Sequence, residues 1–214
     1  MTDSRRYTKT QPGCPADFFA AEARGLDLLR VDGGPPIPAV HEVTADRLVI
    51  DLIPTGAPTR AAAVDFGRRL AVMHQAGAPS FGADANGYVA TIPLDNTRCG
   101  TWGEFYGVRR LRPALEQACD AGAMSASDSA AVDQVIAALP DLAGPAEPPA
   151  RIHGDLWAGN VLWSTDGAVW LIDAAAACDG HRETDLAMLA LFGTPKLDDI
   201  LAAYDEVHPL SEGW

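Results

Sequence analysis

The sequence predicts an α+β fold with two unequal lobes. Its first 53 residues contain three short strand-like runs and one amphipathic stretch. The remainder is dominated by apolar residues at helical spacing, interrupted by a strand-turn-strand pattern near residues 161–172. A length of 214 residues is large for one domain and small for two, which suits two lobes that share one cleft. We therefore predict a reduced N-terminal β lobe at residues 1–53 and a mostly helical lobe at residues 54–214.

The N-terminal lobe is predicted to consist of a strand, a helix and two further strands. Residues 5–10 form the first strand, which a segment rich in proline and glycine then ends. Asp17 is a suitable N-cap for a helix that extends to about Leu29. Residues 40–43 and 48–53 are apolar runs on either side of a polar turn, and we predict that both are strands.

The C-terminal lobe is predicted to contain five helices. They cover residues 59–74, 102–121, 125–139, 183–192 and 197–207. We expect Thr59 to cap the first helix, Pro113 to interrupt the second, and Pro140 to stop the third. The segment 76–99 is rich in Gly, Asn and Pro and is predicted to be irregular.

The amino-acid composition indicates which classes of binding partner and which cellular compartment are expected. The net charge of −13 argues against nucleic acids and anionic membranes, which gain nothing from a surface of like sign. The four cysteines (Cys14, Cys99, Cys119 and Cys178) are scattered without a Cys-x-x-Cys pair, which favours reduced thiols. The N-terminus lacks the apolar core of a signal peptide, and no apolar run reaches membrane-spanning length. We predict a cytoplasmic protein and leave its oligomeric state open.

The most informative pattern combines Asp155, Asn160 five residues later, and Asp173 thirteen residues after that. Two apolar runs lie between Asn160 and Asp173, and Asp166-Gly167 separates them as a strong hairpin-turn signal. A turn centred on that dipeptide pairs residues whose numbers sum to 333, which would place Asn160 opposite Asp173. The sequence thus predicts two oxygen ligands at the open end of a hairpin, with Asp155 on the loop before it.

This trio suits magnesium-dependent phosphoryl transfer. A well-placed carboxylate accepts the proton of an attacking hydroxyl, and we assign that role of catalytic base to Asp155. Amide and carboxylate oxygens are ligands that Mg²⁺ prefers, so Asn160 and Asp173 are the predicted ligands of the ion that accompanies ATP. A lone Asp at such a position would more often cap a turn, and the Asn five residues later reverses that preference.

Two motifs resemble known families. His153-Gly154-Asp155 followed by Asn160 resembles the catalytic loop of the protein-kinase-like phosphotransferases that act on small molecules, the aminoglycoside and choline kinase group. More narrowly, residues 156–162 and 180–189 resemble the fructosamine (ketosamine) kinase family. The resemblance implies a protein-kinase-like fold, ATP and Mg²⁺ as cofactors, and phosphorylation of a sugar hydroxyl on a small or protein-linked ketosamine. In the family this reaction serves deglycation repair.

The nucleotide site involves the N-terminal lobe. Glu22 lies on the apolar stripe of its predicted helix, where a charge needs a partner. The resemblance supplies one in Lys9, which matches the strand lysine that holds ATP phosphates and is itself held by a helix glutamate. An ordinary surface lysine is the alternative. The resemblance also implies that backbone groups of Asp51 and Ile53 bind adenine.

The remaining candidates surround the catalytic loop. We predict that His153 buttresses this loop, and the family resemblance implies that Asp185 stabilises it. Trp157 is predicted either to stack on the acceptor sugar or to pack in the interior. Three further candidates for acceptor contacts have helix capping as their alternative role; they are His181, Arg182 and Glu183.

The chain also departs from the family pattern. Only eight residues precede Lys9 and none is glycine, so the glycine-rich strand pair that covers ATP phosphates in this group is not expected. The C-terminus is expected to be shorter than in the family, and Ala174 stands where the family usually has proline. Either a late start codon or a natural remnant would explain the short N-terminus. The alternative functions are therefore a kinase of another amino-sugar or alcohol, and a truncated, non-catalytic nucleotide-binding protein.

Overall fold

A three-stranded antiparallel sheet and one helix form the N-terminal part of the computed structural model, which describes residues 5–212 and 214. The strands β1 (Arg6–Thr10), β2 (Val40–Val43) and β3 (Arg47–Asp51) are arranged in the order β1-β3-β2. Helix α1 (Phe18–Leu28) follows β1 in the chain. These four elements confirm the strand-helix-strand-strand prediction.

The start of α1 differs from the expectation in one respect. Asp17 occupies the N-cap position, but its side chain makes no capping hydrogen bond. Its carboxylate instead accepts a hydrogen bond from the hydroxyl of Tyr88, in a segment 71 residues away. The aspartate therefore ties α1 to the second part of the chain.

Helices dominate the part of the chain after β3. Helix α2 (Arg60–Gln75) is capped as predicted, because Thr59 Oγ1 accepts a hydrogen bond of 3.2 Å from the Ala62 amide. The remaining α-helices are α3 (Trp102–Tyr106), α4 (Arg112–Asp120), α5 (Ala126–Leu142), α6 (Glu183–Leu191) and α7 (Leu197–Val207). The five predicted helical stretches are confirmed, with changes inside two of them.

Both changes involve proline. A π-helical segment at Gly107–Leu111 joins α3 to α4, and it lies just before Pro113 rather than at it. Pro113 has no N–H and its ring crowds the preceding turn, so the backbone widens there while the helix continues. Pro140 was expected to stop α5 but lies within it, near its C-terminal end. Its missing N–H and its ring affect the carbonyl of Ile136 one turn earlier, but α5 continues for two residues beyond Pro140.

Three short strand pairs complete the architecture. Strands β4 (Gly87–Val89) and β5 (Ile92–Leu94) form a hairpin inside the segment that we expected to be irregular. Strands β6 (Ala150–Ile152) and β9 (Cys178–Gly180) pair antiparallel on either side of the catalytic hairpin. That hairpin consists of β7 (Val161–Trp163) and β8 (Val169–Leu171).

The predicted register of the β7–β8 hairpin was wrong by one residue. The observed pairs, such as Val161 with Leu171, have numbers that sum to 332. The amide of Gly167 donates to Ser164 O at 3.1 Å and Gly167 has a φ of +85°, so the loop contains three residues and ends in a left-handed glycine. Asn160 consequently lies opposite Ile172, whose amide donates to Asn160 O at 3.2 Å, and Asp173 follows one residue later.

One apolar core extends through both parts of the chain. Its members include buried side chains of α1, β3, α2, the catalytic hairpin, α6 and α7. A smaller cluster surrounds Phe105 and Ile152. The lobe boundary near residue 53 stays a prediction, since this core continues across it. Within residues 5–212 and 214, no helix combines the length and the apolar character needed to cross a membrane.

Candidate active site

The loop before β7 holds Asp155 in a defined position. The Asn160 side-chain amide donates to Asp155 O at 2.7 Å and to Asp155 Oδ2 at 3.3 Å. His153 Nε2 donates to Ile172 O at 2.8 Å, which leaves Nδ1 to accept the Asp155 amide at 3.3 Å. The completely buried His153 thus connects the loop to the end of β8, and this geometry supports its predicted role as a buttress.

Asp185 lies beneath the same loop and is fully buried at the first turn of α6. Its carboxylate accepts hydrogen bonds from the amides of His153 at 2.7 Å and Gly154 at 2.9 Å. His74 Nε2 lies 3.3 Å from Asp185 Oδ2 and donates to it, while His74 Nδ1 accepts from the Tyr204 hydroxyl at 2.8 Å. Both loop amides therefore donate to one buried carboxyl group that His74 also contacts, which restricts the position of the loop.

Burial makes the Asp155 carboxylate a stronger base than that of an exposed aspartate. The carboxyl is half-buried, and its removal from water raises the pKa of Asp155 above the ordinary value. A nearby His153 and the Asn160 amide oppose this shift without cancelling it. The result is a carboxylate that is better matched to accepting a proton than a solvent-exposed Asp would be.

Lys9, Glu22 and Asp173 meet at one point. Lys9 Nζ lies 2.7 Å from Glu22 Oε2 and 2.6 Å from Asp173 Oδ1. Glu22 is completely buried on α1, and burial raises its pKa to about 7, with Lys9 opposing the shift. Burial also acts to lower the pKa of Lys9, but the charges of Glu22 and Asp173 outweigh it and the net shift is upward. The predicted Lys9–Glu22 pair is present, and Asp173 is its third member.

The backbone at Asp173 is unusual. Asp173 has a φ of +58°, a left-handed conformation that non-glycine residues seldom adopt. The residue after it, Ala174, packs against α1 so closely that a Cβ at Gly25 would lie 1.8 Å from Ala174 O. This contact fixes the distance between α1 and the Asp173 segment.

A cleft of about 250 Å³ opens beside this ion cluster. Its walls bring together side chains of β1, the end of β3 and the end of the catalytic hairpin; they include Tyr7, Lys9, Asp51, Ile53, Leu162 and Asp173. Asp51 is held by its neighbours, since its carboxylate accepts from the Ala39 amide at 2.9 Å and lies 2.7 Å from His41 Nε2. Every residue that we predicted for nucleotide binding, except the buried Glu22, therefore lines this one cleft.

The donor set beside the cleft fits a magnesium ion. The amide nitrogen of Asn160 is engaged with Asp155, which directs its oxygen elsewhere. The Asp173 side chain is 43% exposed and has a carboxylate oxygen next to Lys9. An amide oxygen and a carboxylate are hard oxygen ligands, and Mg²⁺ commonly uses few protein ligands together with substrate phosphates.

The residues that were predicted to contact the acceptor substrate differ in their exposure to solvent. Trp157 is 42% exposed, so its ring faces solvent beside the catalytic loop. His181 and Arg182 are instead buried. Arg182 forms a bidentate pair with Glu147 at 2.7 and 2.6 Å and also donates to the carbonyls of His208 and Pro209, both at 2.9 Å.

These contacts correct the prediction that Arg182 reaches the acceptor. Four of the five N–H groups of the guanidinium donate to these acceptors inside the protein, so the residue supports the interior near the C-terminal end of α7. His181 accepts the Glu183 amide at 3.4 Å through Nδ1, which corresponds to the alternative role of helix capping. Glu183 is partly exposed at the start of α6.

Sequence reasoning missed two contributors to the site. His74 lies on the apolar stripe of α2, where a buried histidine signals a polar partner, and its partners are Asp185 and Tyr204. Gly25 lies inside α1, where glycine lowers helix stability and therefore indicates a packing requirement. Both signals were available in the sequence, but neither specifies which segment makes the contact.

Comparisons with known proteins agree with this geometry. A family model described as fructosamine kinase matches residues 2–214. A probable ketoamine kinase of Thermus thermophilus is 34% identical over 209 residues, which cover 97% of this chain and 74% of that protein. The crystal structure of a candidate fructosamine-3-kinase from Thermobifida fusca is 49% identical, with a TM-score of 0.93 over 99% of this chain and 74% of that one.

More distant structures share the fold alone. Choline kinase LicA from Streptococcus pneumoniae superposes with a TM-score of 0.62 at 18% identity, over 99% of this chain and 72% of that one. The gentamicin complex of APH(2'')-IIa also gives 0.62, at 14% identity, over 95% of this chain and 71% of that one. The predicted protein-kinase-like α+β fold is therefore confirmed.

Proposed function

The chain belongs to the fructosamine kinase family, and from this membership and the site we infer that it transfers phosphate from ATP to a sugar hydroxyl of a ketosamine. One observation supports the chemistry most strongly: Lys9, Glu22 and Asp173 meet within 2.7 Å beside a cleft, close to the loop that holds Asp155. A binding protein without chemistry has no need of a half-buried, pre-oriented carboxylate at that place.

We propose that the cleft takes ATP. Lys9 interacts with the nucleotide phosphates, and Glu22 keeps the lysine in place, because a buried carboxylate next to an ammonium restricts its position. Asp51 and Ile53 border the same cleft and offer backbone groups to the adenine. The Ile53 amide forms no hydrogen bond within residues 5–212 and 214, so it is available as a donor.

Asp155 acts as the base in this proposal. The acceptor hydroxyl oxygen forms a bond to the γ-phosphorus, the bond from that phosphorus to the β-phosphate oxygen breaks, and ADP leaves. The hydroxyl proton passes to the Asp155 carboxylate. The Asn160 amide donates to that carboxylate and His153 accepts the backbone amide of Asp155, so the base is oriented before the acceptor arrives, which lowers the entropy cost of the transition state.

Asn160 and Asp173 are the proposed ligands of magnesium. When bound, the ion neutralises charge on the phosphates during transfer. The position of Asp173 depends on its left-handed backbone and on the packing of Ala174 against Gly25. Asp185 is the proposed support of the catalytic loop through its hydrogen bonds to the His153 and Gly154 amides.

The acceptor is a ketosamine, either small or linked to a protein lysine. The relatives named as ketoamine kinases support this class, and the name of the Thermobifida protein indicates position 3 of the sugar. Trp157 is the proposed stacking surface for the sugar, since its exposed ring lies two residues after Asp155. Phosphorylation at this position destabilises the adduct, so the proposed role is deglycation repair.

A direct assay tests the function. Purified protein with ATP and Mg²⁺ is supplied with fructoselysine, ribuloselysine, an aminoglycoside or choline, and ADP and the phosphorylated acceptor are quantified. We expect transfer to the two ketosamines and a much lower kcat/KM for the other acceptors. Preference for the aminoglycoside would replace the proposed acceptor class, and nucleotide binding without any transfer would favour a non-catalytic protein.

A further inference from the structure

A chain of buried hydrogen bonds connects α7 to the catalytic loop. The Tyr204 hydroxyl lies 2.8 Å from His74 Nδ1, and His74 Nε2 lies 3.3 Å from Asp185 Oδ2. Asp185 in turn accepts the amides of His153 and Gly154. The side chains of Tyr204, His74 and Asp185 are all buried, so each depends on the next for a hydrogen bond. The catalytic loop is therefore connected to a tyrosine that has no role in the reaction proposed so far.

The direction of these bonds follows from the tyrosine. Burial raises the pKa of Tyr204, so its hydroxyl keeps the proton and needs an acceptor for it. In the part of the chain that the structure describes, His74 Nδ1 is the one acceptor that this proton reaches. A neutral histidine whose Nδ1 accepts a hydrogen bond carries its own proton on Nε2, and Nε2 faces the Asp185 carboxylate.

The opposite tautomer of His74 would weaken the support of the loop. With the proton on Nδ1, the lone pair of Nε2 would face the lone pairs of Asp185 Oδ2, and the two acceptors would repel each other. That same Oδ2 accepts the His153 amide at 2.7 Å. Because His153 Nδ1 accepts the Asp155 amide, a displacement of Asp185 would reach the base through one residue.

Helix α7 holds the tyrosine close to His74. Gly67 of α2 packs so tightly against Ile200 of α7 that an added Cβ would lie 2.2 Å from Ile200 O. Tyr204 follows Ile200 by about one helical turn, and His74 follows Gly67 by roughly two, so all four lie along the same contact. The rings of His74 and Tyr204 meet edge to face, with centroids 5.5 Å apart. The packing of the two helices thus fixes the hydroxyl at His74.

We propose that Tyr204 is a positioning residue for phosphoryl transfer, whose hydroxyl fixes His74 in the tautomer that keeps Asp185 bonded to the catalytic loop. This inference depends on the proposed function. Tyr204 acts through two other side chains on the loop that carries Asp155, and it makes no contact with the ion cluster around Lys9. Loss of the hydroxyl should therefore slow the transfer step and leave ATP binding intact.

Tyr204→Phe tests the proposal, because it removes the hydroxyl and keeps the ring that fills the interior. The ring nitrogens of His74 are observed by NMR of protein that contains ¹⁵N-labelled histidine, and His74→Gln identifies their signals. We expect the wild type to show a protonated Nε2 and an unprotonated Nδ1, and Tyr204→Phe to lose this single pattern. With fructoselysine as acceptor, the kcat of Tyr204→Phe should fall about tenfold, while the KM for ATP should stay within about twofold.

Tyr88→Phe is the matched control, since Tyr88 is a buried tyrosine whose hydroxyl donates to Asp17. It should keep both the His74 pattern and the kcat. The inference is overturned if the wild-type ring carries its proton on Nδ1 or on both nitrogens, or if Tyr204→Phe keeps the wild-type pattern or kcat. Equal losses of kcat in the two tyrosine variants would also overturn it. If the NMR results are as expected but the wild type transfers no phosphate to fructoselysine, the tautomer assignment stands and the proposed function fails.

Discussion

Lys9 Nζ lies 2.6 Å from Oδ1 of Asp173, although 164 residues separate them in the chain. This contact joins the first strand to the end of the catalytic hairpin. Because Lys9 also contacts Glu22, one ammonium group balances two carboxylates. The proposed phosphate-binding lysine and the proposed magnesium ligand are thus parts of one electrostatic unit, and changes to either affect both stability and catalysis.

Replacing Lys9 with methionine separates these two effects. Lys9→Met leaves the buried Glu22 without a cation, so the free energy of unfolding should fall by about 3 kcal/mol. The kcat/KM for ATP should fall on the order of 10²-fold or more. Adding Glu22→Gln removes the buried charge and should restore most of the stability but none of the activity. Denaturant unfolding and steady-state kinetics measure the two quantities.

Lys196→Met is the control for that experiment, since Lys196 is the chain's other lysine and is exposed at the start of α7. It should change neither quantity appreciably. Recovery of activity in the Lys9→Met/Glu22→Gln double variant would refute the proposed phosphate contact.

The titration of Glu22 predicts a pH dependence of stability. Burial raises the pKa of Glu22 to about 7 in the folded protein, from an ordinary value of 4.5. The folded state therefore binds more protons than the unfolded state between these values, and the contribution of Glu22 to stability falls as the pH rises through this window. Relative to Glu22→Gln, the wild type should lose on the order of 3 kcal/mol between pH 4.5 and pH 7.5. Parallel pH profiles of unfolding for the two proteins would contradict this.

Gly25 provides a steric test of the nucleotide site. In Gly25→Ala, the new methyl group would lie 1.8 Å from Ala174 O, so α1 must move away from the Asp173 segment. We expect a loss of about 1 to 3 kcal/mol in unfolding free energy and a higher KM for ATP. Gly100→Ala is the matched control, because no atom lies within 4 Å of its added Cβ. A Gly25→Ala protein with unchanged stability would show that the contact is not tight.

Arg182 tests the distinction between interior support and acceptor binding. Arg182 is 3% exposed, so Arg182→Met leaves Glu147 largely buried without its cation and should destabilise the fold by about 3 to 5 kcal/mol. The KM for the ketosamine should stay within about twofold for the folded fraction, because the guanidinium does not face the site. Arg68→Met removes an exposed pair with Glu206 and should cost at most about 1 kcal/mol. A large increase in the KM for the acceptor with little loss of stability would show that Arg182 contacts the acceptor.

The sequence was informative where local chemistry decides the outcome. Thr59 caps α2, as expected from the preference of threonine for the N-cap position. Glu22 pairs with Lys9, as expected because a carboxylate on an apolar helix face needs a cation. The hairpin around Asp166-Gly167 was also predictable. Its register was not, since Gly167 serves equally well in a two-residue turn or at the end of a three-residue loop.

Long-range geometry could not be predicted from spacing. Nothing local indicates that Asp173 adopts a left-handed conformation and meets Lys9, or that Asp17 accepts the Tyr88 hydroxyl. Arg182 illustrates the reverse error, in which a charged residue beside a functional motif was assigned to the substrate. Its burial depends on Glu147 and on the carbonyls after α7, and only the fold shows that they meet.

The role of Asp155 as the catalytic base is tested most directly by phosphate transfer from ATP to fructoselysine, measured for the wild type and for Asp155→Asn. Asp166→Asn is the control, because it alters an exposed Asp on the same hairpin and keeps the oxygen that accepts the Ala168 amide. We expect the wild type and Asp166→Asn to produce ADP and phosphorylated acceptor at the same rate. For Asp155→Asn we expect a kcat about 10² to 10⁴-fold lower, with ATP binding unchanged. A kcat within a few-fold of wild type for Asp155→Asn would contradict the assignment of Asp155 as the base.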